Sequence, residues 1–376
     1  MYDVYSVTPH NFDFIETFDF VNFKNLGRFN EGVMKTTNFT APKHGAVIHL
    51  TMEEAERLES YWQKNKRKYV STASIRKNPI LPGFYADPEV MYSEKTGRYY
   101  IYPTTDGIPN WGSTAFKAFS SDDLVNWKEE GVILDLKDVS WAKKNAWAPC
   151  IIEKKQADGN YKYYYYYTAE QQIGVAVADS PTGPFIDSGK PLIDKVRPGG
   201  MSKGQNIDPD VFTDPASGKT YLYWGNYYMA VCELNEDMVS IKPNTTKILI
   251  DNDAYYSEAA HVFYRNGYYY FTWSKNDTRS PEYQVRYVRA KSPVGPIDAS
   301  KSEVILCKKP EQGIFGTGHH SVLPLPNKNE WRIVYHRFKF PDAVTMGRNA
   351  GFHREVCIDK LEFDENDSII KIVPTL

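Results

Sequence analysis

The chain has 376 residues, a formal net charge of −2 and 24% charged residues. Basic and acidic side chains nearly balance, with no basic stripe, so nucleic-acid binding is not indicated. No run approaches the roughly 18 to 20 apolar residues of a membrane helix.

Residues 1–75 read differently from the rest. The start, MYDVYSVTPHNF, has neither a basic n-region nor an apolar h-region, so no signal peptide is expected in it. Location stays open, with secretion or the periplasm fitting a chain whose leader has been removed. TFDFVNFKNLG (17–27) echoes SSDDLVNWKEEG (120–131) and reads as a strand edge. The segment 51–67 predicts a helix: Thr51 can cap it with Glu54 as a capping box, and Met52, Ala55, Leu58 and Trp62 recur at helical spacing. A polar linker, RKYVSTASIRKN, follows.

From about residue 76 short strands alternate with Gly, Pro, Asn and Asp turns. One unit repeats. Asp87, Asp208 and Glu258 each open an apolar strand, then come turns on Gly97, Gly218 and Gly267 and a second strand rich in Tyr and Trp. Two more units, near Ala148 and His319, lack the acid. The spacings from Asp87 through Ala148, Asp208, Glu258 and His319 are 61, 60, 50 and 61 residues. Four strands per unit at this period predict an all-β fold, a five-bladed β-propeller over 76–376 with the acids facing its axis. An open β-sandwich is the alternative. Residues 1–75 are expected to be an N-terminal appendage containing one helix.

Aromatics reach 15%, with 28 Tyr. They fit strand propensity and, alternatively, flat surfaces for sugar rings. The four cysteines lie far apart in apolar runs without metal-type spacing and are expected to be buried free thiols. Any single acid at a strand start also reads as a turn or cap residue. Three in register fit paired-carboxylate hydrolysis, in which one acid protonates a leaving oxygen, another activates water and a third charge raises the first acid's pKa.

The motifs NPILPGFYADPEV (78–90), NAWAPCIIEK (145–154), QNIDPDVFTD (205–214), SEAAHVFYRNGYYY (257–270) and GTGHHSVL (316–323) together resemble those of glycoside hydrolase family 43. The resemblance covers roughly residues 76–376. It implies a five-bladed propeller of inverting enzymes acting as α-L-arabinofuranosidases, β-xylosidases or arabinanases. It implies that Asp87 is the general base, Asp208 the residue tuning and positioning the acid, and Glu258 the general acid. Base and acid are then expected about 6.5–9.5 Å apart. The family commonly has Glu-Gly-Pro-His at the acid, where this chain has Glu258-Ala259-Ala260-His261. His261 reads as a strand residue or a substrate contact.

By the same resemblance His319 lies beside the pocket and beside a central cation, often calcium bound largely through water. One imidazole is no calcium cage, so water would supply most ligands. His320 faces the other way. Arg354 resembles the pocket-closing Arg, its plainer reading being a surface ion pair, and Trp147 resembles a sugar-contacting wall. Trp111 and Trp273 read as core or loop. No cofactor is required, and a structural Ca2+ near the axis is allowed. The expected partner is an arabinose- or xylose-containing glycan, with no nucleic acid and no membrane. Residues 1–75 resemble the end of a preceding family 43 module, which allows an upstream tandem propeller in a longer polypeptide. Beside hydrolysis of terminal arabinofuranosyl or xylosyl units stand three readings: a non-catalytic carbohydrate-binding propeller, an endo-acting arabinanase or xylanase, and a retaining relative.

Overall fold

The computed structural model describes residues 78–251 and 254–376, together with 2–4, 11–16, 22, 24–28 and 56–57. The chain divides into two units, Met1–Ala73 and Ser74–Leu376. In the first, β1 (Tyr2–Val4), β2 (Asn11–Glu16) and β3 (Lys24–Arg28) form an antiparallel sheet in that order. Glu56 and Arg57 are helical. The rest of the 51–67 helix, the linker as far as residue 77 and most of 17–23 lie outside the described residues.

The second unit is a ring of five antiparallel sheets. Four sheets have four strands: β4–β7 (85–135), β8–β11 (147–187), β12–β15 (210–250) and β16–β19 (258–306). The fifth has three, β20 (Gly318–Pro324), β21 (Trp331–Phe338) and β22 (Arg354–Leu361). The first strands of the sheets, β4, β8, β12, β16 and β20, pack in sequence, and β20 returns to β4. This is the expected five-bladed propeller, with inner strands around the axis.

The lead-in segment completes the three-stranded blade. Ile80 N donates to Val356 O at 2.9 Å, and Asn78 bonds Ile358 through Oδ1 (2.7 Å) and Nδ2 (3.1 Å). Chain start and chain end of the unit thus close the ring on one blade.

Stacked blades leave central strands no solvent face, which explains the run YKYYYYYTA of β9 (Tyr161–Ala169). Tyr163, Tyr165 and Tyr167 pack with Tyr102 and Phe116 of the blade before. Tyr164 and Tyr166 pack with Leu222 and Trp224 of the blade after. The turn glycines Gly97, Gly218 and Gly267 all have φ between 69° and 80°, where glycine avoids the clash of a Cβ. All four cysteines are free. Three are buried and Cys307 is only half-buried, against expectation, because it follows the end of a blade's outer strand rather than lying within it.

Candidate active site

Each inner strand has a left-handed residue at or just before its start: Asp87 (φ 48°), Ala148 (41°), Asp208 (59°), Ala259 (60°) and His319 (41°). In four of the five the pairing register shifts around it as a bulge, while Asp208 stands two residues before β12 (Asp210–Thr213). Glu258 is therefore not in register with Asp87 and Asp208, as the spacing implied. It stands one residue before the bulge, and Ala259 is the true equivalent. The carboxylate spacing does not reveal this, because φ is not visible in residue type.

A bulge leaves one backbone N–H out of the ladder, and buried donors need partners. Four are capped from the second strand of the preceding blade. Ala148 N donates to Thr104 Oγ1 (2.7 Å), Asp208 N to Thr168 Oγ1 (3.0 Å), His319 N to Ser274 Oγ (2.8 Å) and Asp87 N to His336 Nδ1 (3.2 Å). These inter-blade bonds fix the backbone from which the site side chains project.

The bulges open into one pocket of about 380 Å³. Asp87, Asp208, Glu258, Trp147, His319 and Arg354 all line it. Trp111, read as core or loop, lines it too, because Trp147 Nε1 donates to Trp111 O at 2.6 Å and draws the two walls together. Trp273 is buried with its Nε1 on Tyr255 O and takes no part. His261 lies outside the pocket lining. Its Nδ1 pairs with Asp210 Oδ1 (2.8 Å) and its Nε2 accepts from Val322 N (3.1 Å), which is a structural role. His320 is buried against Thr272.

Asp87 is held as an anion. Its Oδ1 accepts from Arg354 Nη1 at 3.0 Å and lies 3.2 Å from Nδ1 of both His319 and His336. Burial alone would raise its pKa. The Arg354 guanidinium, then His319 and His336, outweigh burial and hold the carboxyl well below the usual carboxylate range. These contacts all fall on Oδ1, which leaves Oδ2 as the oxygen turned to other work.

Arg354 is no surface residue: it is 3% exposed. Asp106, which sequence reasoning missed, fixes it by accepting from its Nε at 2.8 Å and its backbone N at 3.0 Å. The fixed fork thus ties two carboxylates to one strand end.

Glu258 sits in the opposite electrostatic state. Tyr283 OH donates to Oε1 at 2.8 Å and Asn226 Nδ2 to Oε2 at 3.0 Å. Burial, with the charges of Asp87 and Asp277, raises its pKa to about 7 against the opposing pull of the Tyr283 hydrogen bond and Arg354. Asp208 is also raised, by burial first and then by Glu258 and Asp87, while the Ala259 N–H on its Oδ2 opposes this. Two buried carboxyls beside an ionised third both resist ionisation. His319 is neutral there, pushed by burial to about 4 although Asp87 pulls it up.

The residues around His319 offer no calcium cage. Its Nδ1 faces Asp87, whose Oδ1 is already occupied by Arg354. Among the described residues, the ligand atoms that cluster belong to Glu89, Cys150 and Asp210, two positions below the bulges. A thiol among two carboxylates is not the all-oxygen set calcium takes.

A propeller whose axial pocket holds one ionised and one protonated carboxyl is built as a glycoside hydrolase. Residues 76–369 match the glycosyl hydrolases family 43, and the chain belongs to that family. A beta-D-galactofuranosidase of Aspergillus niger is 32% identical, covering 84% of this chain and 91% of its own. A xylosidase/arabinosidase of Bacteroides ovatus is 28% identical over 79% and 97% of the two chains. The solved structure of an α-L-arabinofuranosidase from Clostridium thermocellum is 30% identical with a TM-score of 0.61, covering 77% of this chain and 94% of that one.

Proposed function

We propose that this hydrolase is inverting and removes terminal α-L-arabinofuranosyl and β-D-xylosyl units from plant polysaccharide or its oligosaccharides. The observation that carries the reading is the opposed protonation of Asp87 and Glu258 across one pocket. Asp87 Oδ2 takes a proton from a water, and that water attacks the anomeric carbon. Glu258 gives its proton to the departing oxygen. Asp208 keeps Glu258 protonated and holds the backbone beside it. Trp147 and Trp111 form the sugar wall, and Arg354 closes the pocket behind Asp87. The relatives named for xylosidase and arabinosidase activity support the choice of sugar.

A second sugar has a specific observation in its favour. The Aspergillus relative is named for β-D-galactofuranose. That ring has the configuration of α-L-arabinofuranose with one further hydroxymethyl group outside it, so a pocket for one can admit the other. The test is a panel of aryl α-L-arabinofuranoside, β-D-xyloside and β-D-galactofuranoside, with proton NMR of the first-formed anomer. Turnover with the anomer opposite to the substrate is expected. Retention of configuration, or no turnover of any of the three, overturns the reading.

A further inference from the structure

The leaving group of the hydrolysis must lie on the side of Glu258, since that residue protonates its oxygen. The rim on that side is cationic. Arg279 donates to Asp277 through Nε (2.9 Å) and Nη2 (2.7 Å), and Arg348 Nη2 reaches the same carboxylate at 3.1 Å. Two guanidinium forks converge on one acid, so one positive charge is left over. Among the described residues, Arg279 Nη1 and Arg348 Nε and Nη1 have no protein acceptor.

This arrangement is built into the rim. The Arg279 guanidinium lies 5.5 Å from the Trp111 ring, and Trp111 packs on Phe352 with its Nε1 on Gly351 O. Gly351 has no side chain where a Cβ would meet Arg279 Cγ at 2.6 Å, so the turn carrying Arg348 sits directly against Arg279. Asp277 and Arg279 line the same pocket as Glu258. Tyr227, 43% exposed, adds an aromatic face to the same pocket.

Resting on the hydrolase reading, we propose that the leaving-group side of the pocket is a uronate subsite, where Arg279 and Arg348 hold the carboxylate of an acidic sugar bearing the scissile residue. The guanidinium fork matches a planar two-oxygen acceptor, as its grip on Asp277 already shows. Tyr227 offers the apolar face of that sugar a surface. The substrate class is then an acidic, uronate-containing glycan rather than a neutral one.

The test compares two disaccharides with the same terminal sugar, one on a hexuronate and one on its methyl ester. Wild-type kcat/KM is expected to favour the free acid by about fivefold, the scale of an exposed ion pair. The preference should shrink in about 0.5 M NaCl, where screening confines charge interactions to short range. Arg348→Gln, at a side chain 68% exposed, should bring the acid-to-ester ratio near one, and Arg348→Lys should restore part of it. Equal kcat/KM for acid and ester in the wild type, or an unchanged ratio in Arg348→Gln, overturns the subsite. The uncharged aryl glycosides keep the two readings apart: their turnover with a ratio of one sinks this inference alone, whereas their failure sinks the hydrolase reading.

Discussion

Asp208 Oδ2 accepts the backbone N–H of Ala259 at 3.2 Å, and so one candidate site carboxylate holds the bulge beside another. The other four bulges take this bond from a side chain on the second strand of the preceding blade. In the third blade that position is Gly225, whose N–H bonds Ile207 O. Gly225 has φ +125°, and a Cβ there would meet Tyr228 O at 2.3 Å, so no hydroxyl-bearing residue fits. Asp208 supplies the missing acceptor. Its position next to Glu258 thus has a backbone cause as well as an electrostatic one.

This divides the effects of two substitutions. Asp208→Asn keeps an oxygen acceptor for Ala259 N–H but loses the ionisable group, whereas Asp208→Ala loses both. Both should lower kcat by about 100-fold, within the usual range for acid–base assistance. The loss should be larger for poor leaving groups, which need the proton from Glu258 most. Asp208→Ala should also unfold at a lower temperature than Asp208→Asn. Leaving-group series and thermal scans check the pair, and equal losses across leaving groups would detach Asp208 from the acid.

The pH profile follows from the two opposed carboxyls. Activity needs Asp87 ionised and Glu258 protonated, so kcat/KM should fall as pH rises through about 7. The acid limb should lie far lower, because Asp87 is held well below the ordinary range. Tyr283 lowers the pKa of Glu258 through its hydrogen bond. Tyr283→Phe should therefore move the basic limb to higher pH. Asp277 raises that pKa, so Asp277→Asn should move the limb the other way. A pH–rate series on the three proteins decides it.

Much of the ring was legible because the repeat is local: acid or its equivalent, strand, glycine turn, aromatic strand. What the chain could not show directly is which blades touch. Asp106 meets Arg354, Asn226 meets Glu258 and His336 meets Asp87 across blade boundaries, and only closure of the ring brings them together, while Tyr283 reaches Glu258 from a loop within its own blade. A signal did exist for the capping residues. Thr104, Thr168, Ser274 and His336 are polar residues near the end of apolar second strands, in four of the five units. The register of Glu258 was misread for a different reason, since a longer side chain starting one residue earlier reaches the same pocket.

Arg354 is the cation between Asp87 and Asp106, and all three are buried. Removing one partner of a buried ion cluster leaves charge without compensation, at about 3–5 kcal/mol. Arg354→Ala should lose stability on that scale in denaturant unfolding. It should also raise the pKa of Asp87, whose principal stabilising charge is gone. The acid limb of the rate profile should then rise toward the ordinary carboxylate range. An unaltered acid limb would mean that Asp87 is not the base being titrated.

Ala259 offers the converse case, a site where a change should stabilise. It stands at φ 60° and is buried, in the place where the family commonly has glycine. A left-handed residue with a Cβ costs about 1–2 kcal/mol relative to its right-handed form, and glycine avoids that cost. Glycine also gains more freedom in the unfolded chain, which returns about 0.5–1 kcal/mol of the benefit. Ala259→Gly should therefore raise stability by about 0.5–1 kcal/mol. The Asp208 bond to its N–H survives the change, because it uses only backbone, so kcat should stay within about twofold of wild type. A chemical-unfolding midpoint measures the first expectation and aryl glycoside kinetics the second. Loss of stability would show that the Ala259 methyl group, packed against its neighbours, contributes more than its backbone strain removes.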